Sequence, residues 1–286
     1  MRSDFCAFIL SHGRPDRVLT YDTIRKAGYT GKIYIVVDDE DKTGDEYRQR
    51  FGDIVLSFSK QMIASTFDEG DNFEGRRGVI YARNACFDLA KKIGVKYFIQ
   101  LDDDYTTFQM RWNSKRNYGY APIKKSLDSL FDAVLSYFIE TPRITSIALS
   151  QGGDHMGTSK GKKVSMRRKA MNSFFCSVDR PFCFVGRVNE DTTTYTLLGR
   201  EGSLFLTVLQ AQLKQLQTQI NKGGMTEIYL DQGTYVKSFY SVMYAPSCVQ
   251  VGEMGDPRSE ASRMHHVINW HKAVPLILRE EVARLS

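Results

Sequence analysis

Three consecutive carboxylates, Asp102, Asp103 and Asp104, close the apolar run Tyr97–Leu101. Adjacent carboxylates repel one another, so such a triplet calls for a compensating cation. Residues two apart in an extended segment project to the same side, which lets Asp102 and Asp104 share one hard divalent ion; the alternative is an acidic turn capping a helix. Two further polar clusters follow apolar runs: Ser11 to Arg14 after Phe5–Leu10, and Asp38-Asp39 after Ile33–Val37. Open α/β sheets bind ligands at the carboxyl ends of their strands, so all three clusters are expected on one rim. Glu190-Asp191 supplies a candidate general base for an acceptor hydroxyl. Asp191 ahead of Thr192, Thr193 and Thr194 reads equally well as a helix N-cap.

A separate basic stretch, KGKKVSMRRK, carries Lys160, Lys162, Lys163, Arg167, Arg168 and Lys169 without an acid. It suits phosphate contacts by counterion release, or else a solvated loop. Tyr118 and Tyr120 in a Gly-containing loop, with Phe174 and Phe175, are candidates to stack on a flipped base; the phenylalanine pair suits a core better. His12 reads as a nucleotide contact or a turn cap, while His155 and His271 receive no role. P-loop, HExxH and GxSxG patterns are missing, so ATP hydrolysis, zinc proteolysis and α/β-hydrolase chemistry have no support.

The elements that must carry these residues alternate. Strands are predicted at Phe5–Leu10, Ile33–Val37, Ile54–Phe58 and Tyr97–Leu101. A helix follows Pro15 up to Gly28, and another spans Val79–Ile93. This alternation implies an α/β fold, a mostly parallel sheet with helices on both faces. Residues 61–77 read as a loop. Further on, the pattern gives a helix over Leu127–Ile139, a strand over Ile144–Leu149, a long polar loop over Gln151–Met171, and strands at Phe174–Val178 and Phe182–Val188. Leu204–Leu216 fits a helix by leucine spacing and a strand by its β-branched residues. A helix is expected over Tyr229–Tyr240 and a strand near Val242–Ala245. Nothing divides the chain of 286 residues into separate domains.

Charged residues at 25% and apolar residues at 42% exclude wholesale disorder. The net charge of +6 is modest and matters less than its placement. Five cysteines without a CxxC pair suit reduced, mostly packed thiols rather than a disulfide framework or zinc ribbon. Phe5–Leu10 is too short for a signal or membrane segment. A soluble cytoplasmic protein is the expectation.

The ordered set ILSHGRP, IVVDDE, YARNACFDLA and YFIQLDDDY resembles the GT-A glycosyltransferases, in which the aspartate triplet is the DxD motif. With GVIYARN, NEDTTT, NKGGM and HHVINWHKAVPLIL the chain is similar to the phage TET-associated glycosyltransferases, relatives of the base J glucosyltransferases that modify hydroxymethylated pyrimidines in DNA. The resemblance implies a single Rossmann-like GT-A domain over 1–286. Residues 1–104 would bind the nucleotide sugar. Residues 105–286 would form an acceptor half with an acceptor-side extension and a C-terminal metal-site segment. It implies transfer of a sugar, glucose by default with a pentose open, from a UDP-sugar with Mn²⁺ or Mg²⁺. Ser11, Arg14, Asp38, Asp39, Arg83, Asp102, Asp103 and Arg263 would then hold the donor. Asp104 and Asp102 would hold the metal with His265 or His266, Asp191 or Glu190 would be the base, and the basic stretch would meet DNA. A phage-encoded enzyme of this kind would work in the host cytoplasm. The alternatives are a glycan, lipid or protein acceptor, or a non-catalytic nucleotide- or DNA-binding module.

Overall fold

The computed structural model describes residues 1–73, 75–112, 118–155, 167–216, 236–254 and 263–278. Its frame is a nine-stranded sheet in the order β3-β2-β1-β4-β8-β7-β9-β5-β6. The strands are β1 (Phe5–Leu10), β2 (Lys32–Asp38), β3 (Val55–Phe58), β4 (Tyr97–Asp102), β5 (Tyr105–Trp112), β6 (Tyr118–Pro122), β7 (Ile144–Ser150), β8 (Phe174–Ser177) and β9 (Leu204–Gln215). β1 shows why the sheet is covered on both sides. All six of its residues are buried: Phe5, Ala7 and Ile9 enter one apolar cluster, and Cys6, Phe8 and Leu10 the other. Continuous apolar runs of this sort mark strands with both faces packed. The helices α1 (Leu19–Lys26), α2 (Gly44–Phe51) and α5 (Leu127–Glu140) cover the first face. α4 (Ile80–Lys92) covers the second, with Tyr195 of α6 (Glu190–Arg200).

The first four strands are parallel, as their alternation with helices predicts. β8 then runs against β4 and β7, and β5 against β9 and β6, while β7 and β9 are parallel. The sheet is therefore mixed and mostly parallel. β2 and β3 lie on one side of β1 and β4 on the other, so the strand order reverses between β1 and β4. Ligands of open α/β sheets bind in the crevice at such a switch point.

Several local expectations change. The acidic triplet is not an extended end: Asp102 closes β4, and Asp103-Asp104 form the turn into β5. Part of the predicted 61–77 loop is a short helix, α3 (Lys60–Ala64). Leu204–Leu216 resolves as β9, because Phe205, Thr207 and Val208 pair along β7. Phe182–Val188 forms no strand. Its Gly186 and Arg187 amides donate to the carbonyls of Asp68 (3.0 Å) and Glu69 (2.8 Å) in a loop, and no ladder forms. Phe182 instead packs edge-on against Phe87. The described part of the Tyr229–Tyr240 prediction joins a helix, α7 (Val236–Tyr244), which absorbs most of the strand expected near Val242–Ala245. Beyond it β10 (Val249–Met254) and β11 (Arg263–Ile268) make a separate antiparallel hairpin. Gly199 of α6 lets the last short helix, α8 (Trp270–Ala273), come close: a Cβ there would stand 2.4 Å from the Ala273 carbonyl.

Candidate active site

Strand alternation decides where the triplet points. On β4, Ile99 and Leu101 enter the α1–α5 face and Phe98 the α4 face. Gln100 and Asp102 share the parity of Phe98. Gln100 accordingly donates to the Arg83 carbonyl at 2.8 Å, and Arg83 of α4 donates through Nη2 to Asp102 Oδ1 at 2.9 Å. Arg83 also donates through Nε to Glu190 Oε1 at 2.9 Å, and its guanidinium lies over Phe174 and Phe184. It is 1% exposed. One buried cation thus ties the end of β4 to the start of α6, two clusters far apart in the chain. Burial disfavours the Arg83 charge, but Asp102 and Glu190 outweigh it and hold its pKa above the ordinary value.

The turn faces the other way. Asp103 is buried and accepts from Ser11 Oγ (2.6 Å) and Arg14 Nη2 (2.9 Å). Tyr47 of α2 shares a 2.6 Å hydrogen bond with the Ser11 hydroxyl and accepts from the Arg14 amide. Thr20 of α1 fastens the same turn: its amide donates to the Asp103 carbonyl, its hydroxyl to the Asp102 carbonyl, and the Tyr105 amide donates back to it. Burial raises Asp103 to about 6, against the pull of Arg14 and Ser11. Asp104 rises to about 7 through burial and the charges of Asp102 and Asp103.

Among the described residues, four buried polar atoms in this cluster have no hydrogen-bond partner: Arg14 Nε, Arg83 Nη1, Gln100 Oε1 and Asp104 Oδ1. Buried polar groups are nearly always satisfied, so each such atom asks for an occupant. A carboxylate oxygen among like charges suits a cation, and guanidinium N–H groups suit an anion. Among the described residues, no three His, Cys, Asp or Glu side chains converge as a preformed metal cage.

At the neighbouring strand end, Asp38 accepts from Lys60 Nζ (3.2 Å) and lies 2.7 Å from His12 Nδ1. Burial pushes its pKa up, but His12 and Lys60 prevail and hold it below the usual value. Asp39 Oδ1 accepts from the Lys60 amide at 2.9 Å and so fastens the start of α3.

Across the crevice, α6 begins at Glu190. The position before it is Asn189, in a left-handed conformation at φ 62°. Asp191 is therefore inside the first turn and is not the N-cap, although its Oδ1 accepts from the Thr192 amide. Burial raises both carboxylates, Glu190 to about 7, with Arg83 pulling each back. His266 of β11 stands beside this helix start, its Nδ1 3.4 Å from Asn189 Nδ2, and its ring centroid lies 4.1 Å from that of His265 with the rings tilted by 31°. Burial lowers His266 to about 3.

The other predicted residues scatter. Phe174 and Phe175 are wholly buried core, while Tyr118 and Tyr120 are exposed. Tyr118 pairs with Trp112 at the far end of β5, roughly 26 Å along the chain from Asp104 at about 3.3 Å per residue. Neither tyrosine can stack on a base held at the carboxylates. Lys160, Lys162 and Lys163 lie outside the described residues, as do NKGGM and the side chain of Arg263. Arg167 is exposed beside His271. Lys169 is half-buried over the Trp270 ring, and burial lowers it to about 8.

Tyr47, Thr20, Asn172 and Gln215 were not legible as site residues. Tyr47 carried a signal, since it and Phe51 are the apolar i, i+4 pair of an otherwise polar helix. The others become visible only in three dimensions: Thr20 of α1 meets the triplet through Asp102, and Asn172 and Gln215 meet it through the end of β9.

The model of a family described as TET-Associated Glycosyltransferase matches residues 5–224. The chain belongs to that family. The match spans β1, the triplet, Arg83 and the Glu190-Asp191 pair, and the family is one of sugar-transferring enzymes. No curated protein matches the sequence. Among solved structures, glucosyl-3-phosphoglycerate synthase from Mycobacterium tuberculosis in complex with Mg²⁺ and UDP aligns at a TM-score of 0.45 and 10% identity, over 92% of this chain and 87% of that one. A mannosyltransferase from Pyrobaculum calidifontis with GDP-Man and Mn²⁺ gives 0.44 and 10%, over 85% and 62%. Residues 1–349 of S. aureus TarS give 0.40 and 12%, over 73% and 59%. No described helix is long and apolar enough to cross a membrane.

Proposed function

We propose that this glycosyltransferase moves a sugar from a UDP-sugar to a 5-hydroxymethylpyrimidine in DNA, a phage DNA modification, with Mn²⁺ or Mg²⁺ bound at Asp104 and Asp102. The observation that carries the donor side is the unpartnered trio of Asp104 Oδ1, Arg14 Nε and Arg83 Nη1 at the β1/β4 switch point. The residues fit such an ion. Mg²⁺-type sites commonly use one or two protein carboxylates, with phosphate oxygens and water completing the shell, so a three-ligand protein cage is not required. His266, beside the start of α6, or His265 would be a further ligand. When bound, the metal supplies Lewis-acid stabilisation of the departing diphosphate.

The chain's own residues do the rest. Arg14 and Arg83 present N–H donors to the diphosphate as its charge grows, with Arg263 a further candidate. Ser11 and Asp103 keep Arg14 in place, and Asp38 with Asp39 frames the nucleoside. Asp191, half-buried next to the Arg83-bound Glu190, takes the proton from the acceptor hydroxyl. The division into a donor half, 1–104, and an acceptor half, 105–286, follows from these roles. Arg167 and Arg168, with Lys160, Lys162, Lys163 and Lys169 of the same basic stretch, meet DNA phosphates. The hydroxymethylated acceptor and the preference for glucose rest on the family resemblance.

The test is UDP release from UDP-glucose with hydroxymethylated DNA as acceptor. Release should need Mn²⁺ or Mg²⁺ and stop with EDTA. Release that continues unchanged in chelator would remove the metal, and release stimulated equally by a glycan or lipid would remove the DNA acceptor.

A further inference from the structure

Asp104 is held by a chain of side chains whose hydrogen bonds all point one way. Tyr105 Oη donates to Asn172 Oδ1 at 2.8 Å, and Gln151 Nε2 donates to the same oxygen. With its oxygen occupied twice, the Asn172 amide must turn its Nδ2 outward, and it donates to Gln215 Oε1 at 2.7 Å. That bond fixes the Gln215 amide in turn, because its oxygen is taken and its Nε2 is left to face Asp104 Oδ2, 3.4 Å away. A primary amide has two distinct ends, so each link sets the orientation of the next. Tyr105 and Gln151 both donate at its start, and every later link runs the same way to the acceptor carboxylate of Asp104.

The consequence falls on the two Asp104 oxygens. Oδ2 receives Gln215, while Oδ1 is buried with no partner. We infer that Asn172 and Gln215 are positioning residues that engage one oxygen of Asp104 and so present the other to the divalent cation. This inference rests on the metal reading of Asp104 given above. The four partners come from separate elements: Tyr105 opens β5, Gln215 ends β9, Gln151 follows β7, and Asn172 precedes β8. Tyr105 and Gln215 are register partners across β5 and β9, which explains how residues so distant in sequence converge.

Asn172→Asp preserves shape and still accepts from Tyr105 and Gln151, but its carboxylate cannot donate to Gln215. The Gln215 amide must then turn its Nε2 toward position 172 and its oxygen toward Asp104. Gln215→Leu removes the donor outright. The full chain is titrated with Mn²⁺ in the presence of UDP, free Mn²⁺ being read by electron paramagnetic resonance against a protein-free UDP control. Losses of metal affinity for such supporting residues run at about 10–100-fold, and each variant that melts cooperatively should show a midpoint raised by roughly that factor. Asp104→Ala sets the limit of lost binding. Wild-type Mn²⁺ midpoints in both folded variants, with Asp104→Ala impaired, would overturn the positioning role and leave the metal reading intact. Wild-type protein that takes up no Mn²⁺, or Asp104→Ala that takes it up equally, would overturn both.

Discussion

Replacing Arg83 with methionine removes the cation that joins the two carboxylate clusters while keeping most of the side-chain volume. Arg83 is 1% exposed and lies 2.9 Å from each of Asp102 and Glu190, whose side chains are 21% and 9% exposed. Removing one partner of a buried ion pair costs about 3–5 kcal/mol. Asp102 retains some solvent and both acids can protonate, so the lower end, about 3 kcal/mol, is expected near neutral pH. At about 2–4 °C per kcal/mol for large domains, that is a fall of roughly 6–12 °C in thermal midpoint. The pH dependence is the sharper signature. The folded pKa of Glu190 lies above its ordinary 4.5, at about 7. Its protonated form is thus favoured by the fold, and its contribution to stability is full below pH 4.5 and lost as pH rises through about 7. Without Arg83 the folded pKa climbs further and the loss extends to higher pH. The deficit of the variant should therefore be flat below about pH 6 and grow between about pH 6 and about pH 8, as wild-type Glu190 titrates around 7. Scanning calorimetry of both proteins across that range decides it. A midpoint within about 2 °C of wild type, or a deficit that does not change with pH, would refute the claim that Arg83 neutralises these acids.

Asp104→Ala should abolish metal-stimulated UDP release while its thermal midpoint stays level or rises, because it relieves repulsion within the triplet; a melting assay beside the activity assay separates these outcomes. Asp191→Asn should lower turnover by roughly 10²–10⁴-fold with UDP binding unchanged, as expected for a general base; near-normal turnover would reduce Asp191 to a first-turn carboxylate of α6. Replacing Lys162, Lys163, Arg167 and Arg168 with serine should weaken DNA use for every sequence. It should also flatten the log–log salt dependence by roughly one for each phosphate no longer neutralised, and an unchanged slope would exclude the stretch from the DNA interface.

The parts that were legible in the sequence are those set by local pattern. β1, β2 and β4 announce themselves because they are buried on both faces and need no alternation to be seen. The acidic triplet was found for the same reason, since it sits where an apolar run stops. Its geometry differs from the extended end that the spacing predicts. The chain reverses at Asp103-Asp104 into β5, so Asp102 and Asp104 are held by different partners, Arg83 and Gln215. Nothing local marks that reversal, because β5 is stabilised by pairing with β9, whose own sequence was balanced between helix and strand. Phe182–Val188 misled in the opposite way. Its apolar residues fill an aromatic cluster without ladder bonds, and Arg187 is drawn into an ion-pair network with Glu69 and Asp71. Arg83 could be marked as a cation near the site, yet its burial between two acids depends on α4 meeting α6 across the crevice.

The proposed reaction is sugar transfer to hydroxymethylated DNA at a metal-binding carboxylate rim. Its most direct measurement is mass spectrometry of nucleosides from DNA incubated with the protein, Mn²⁺ and a panel of UDP-sugars. DNA containing 5-hydroxymethylpyrimidine should yield a nucleoside heavier by one sugar residue. Unmodified DNA, EDTA-treated reactions and Asp104→Ala should yield none. A sugar adduct appearing equally on unmodified DNA, or persisting with Asp104→Ala, would contradict the account.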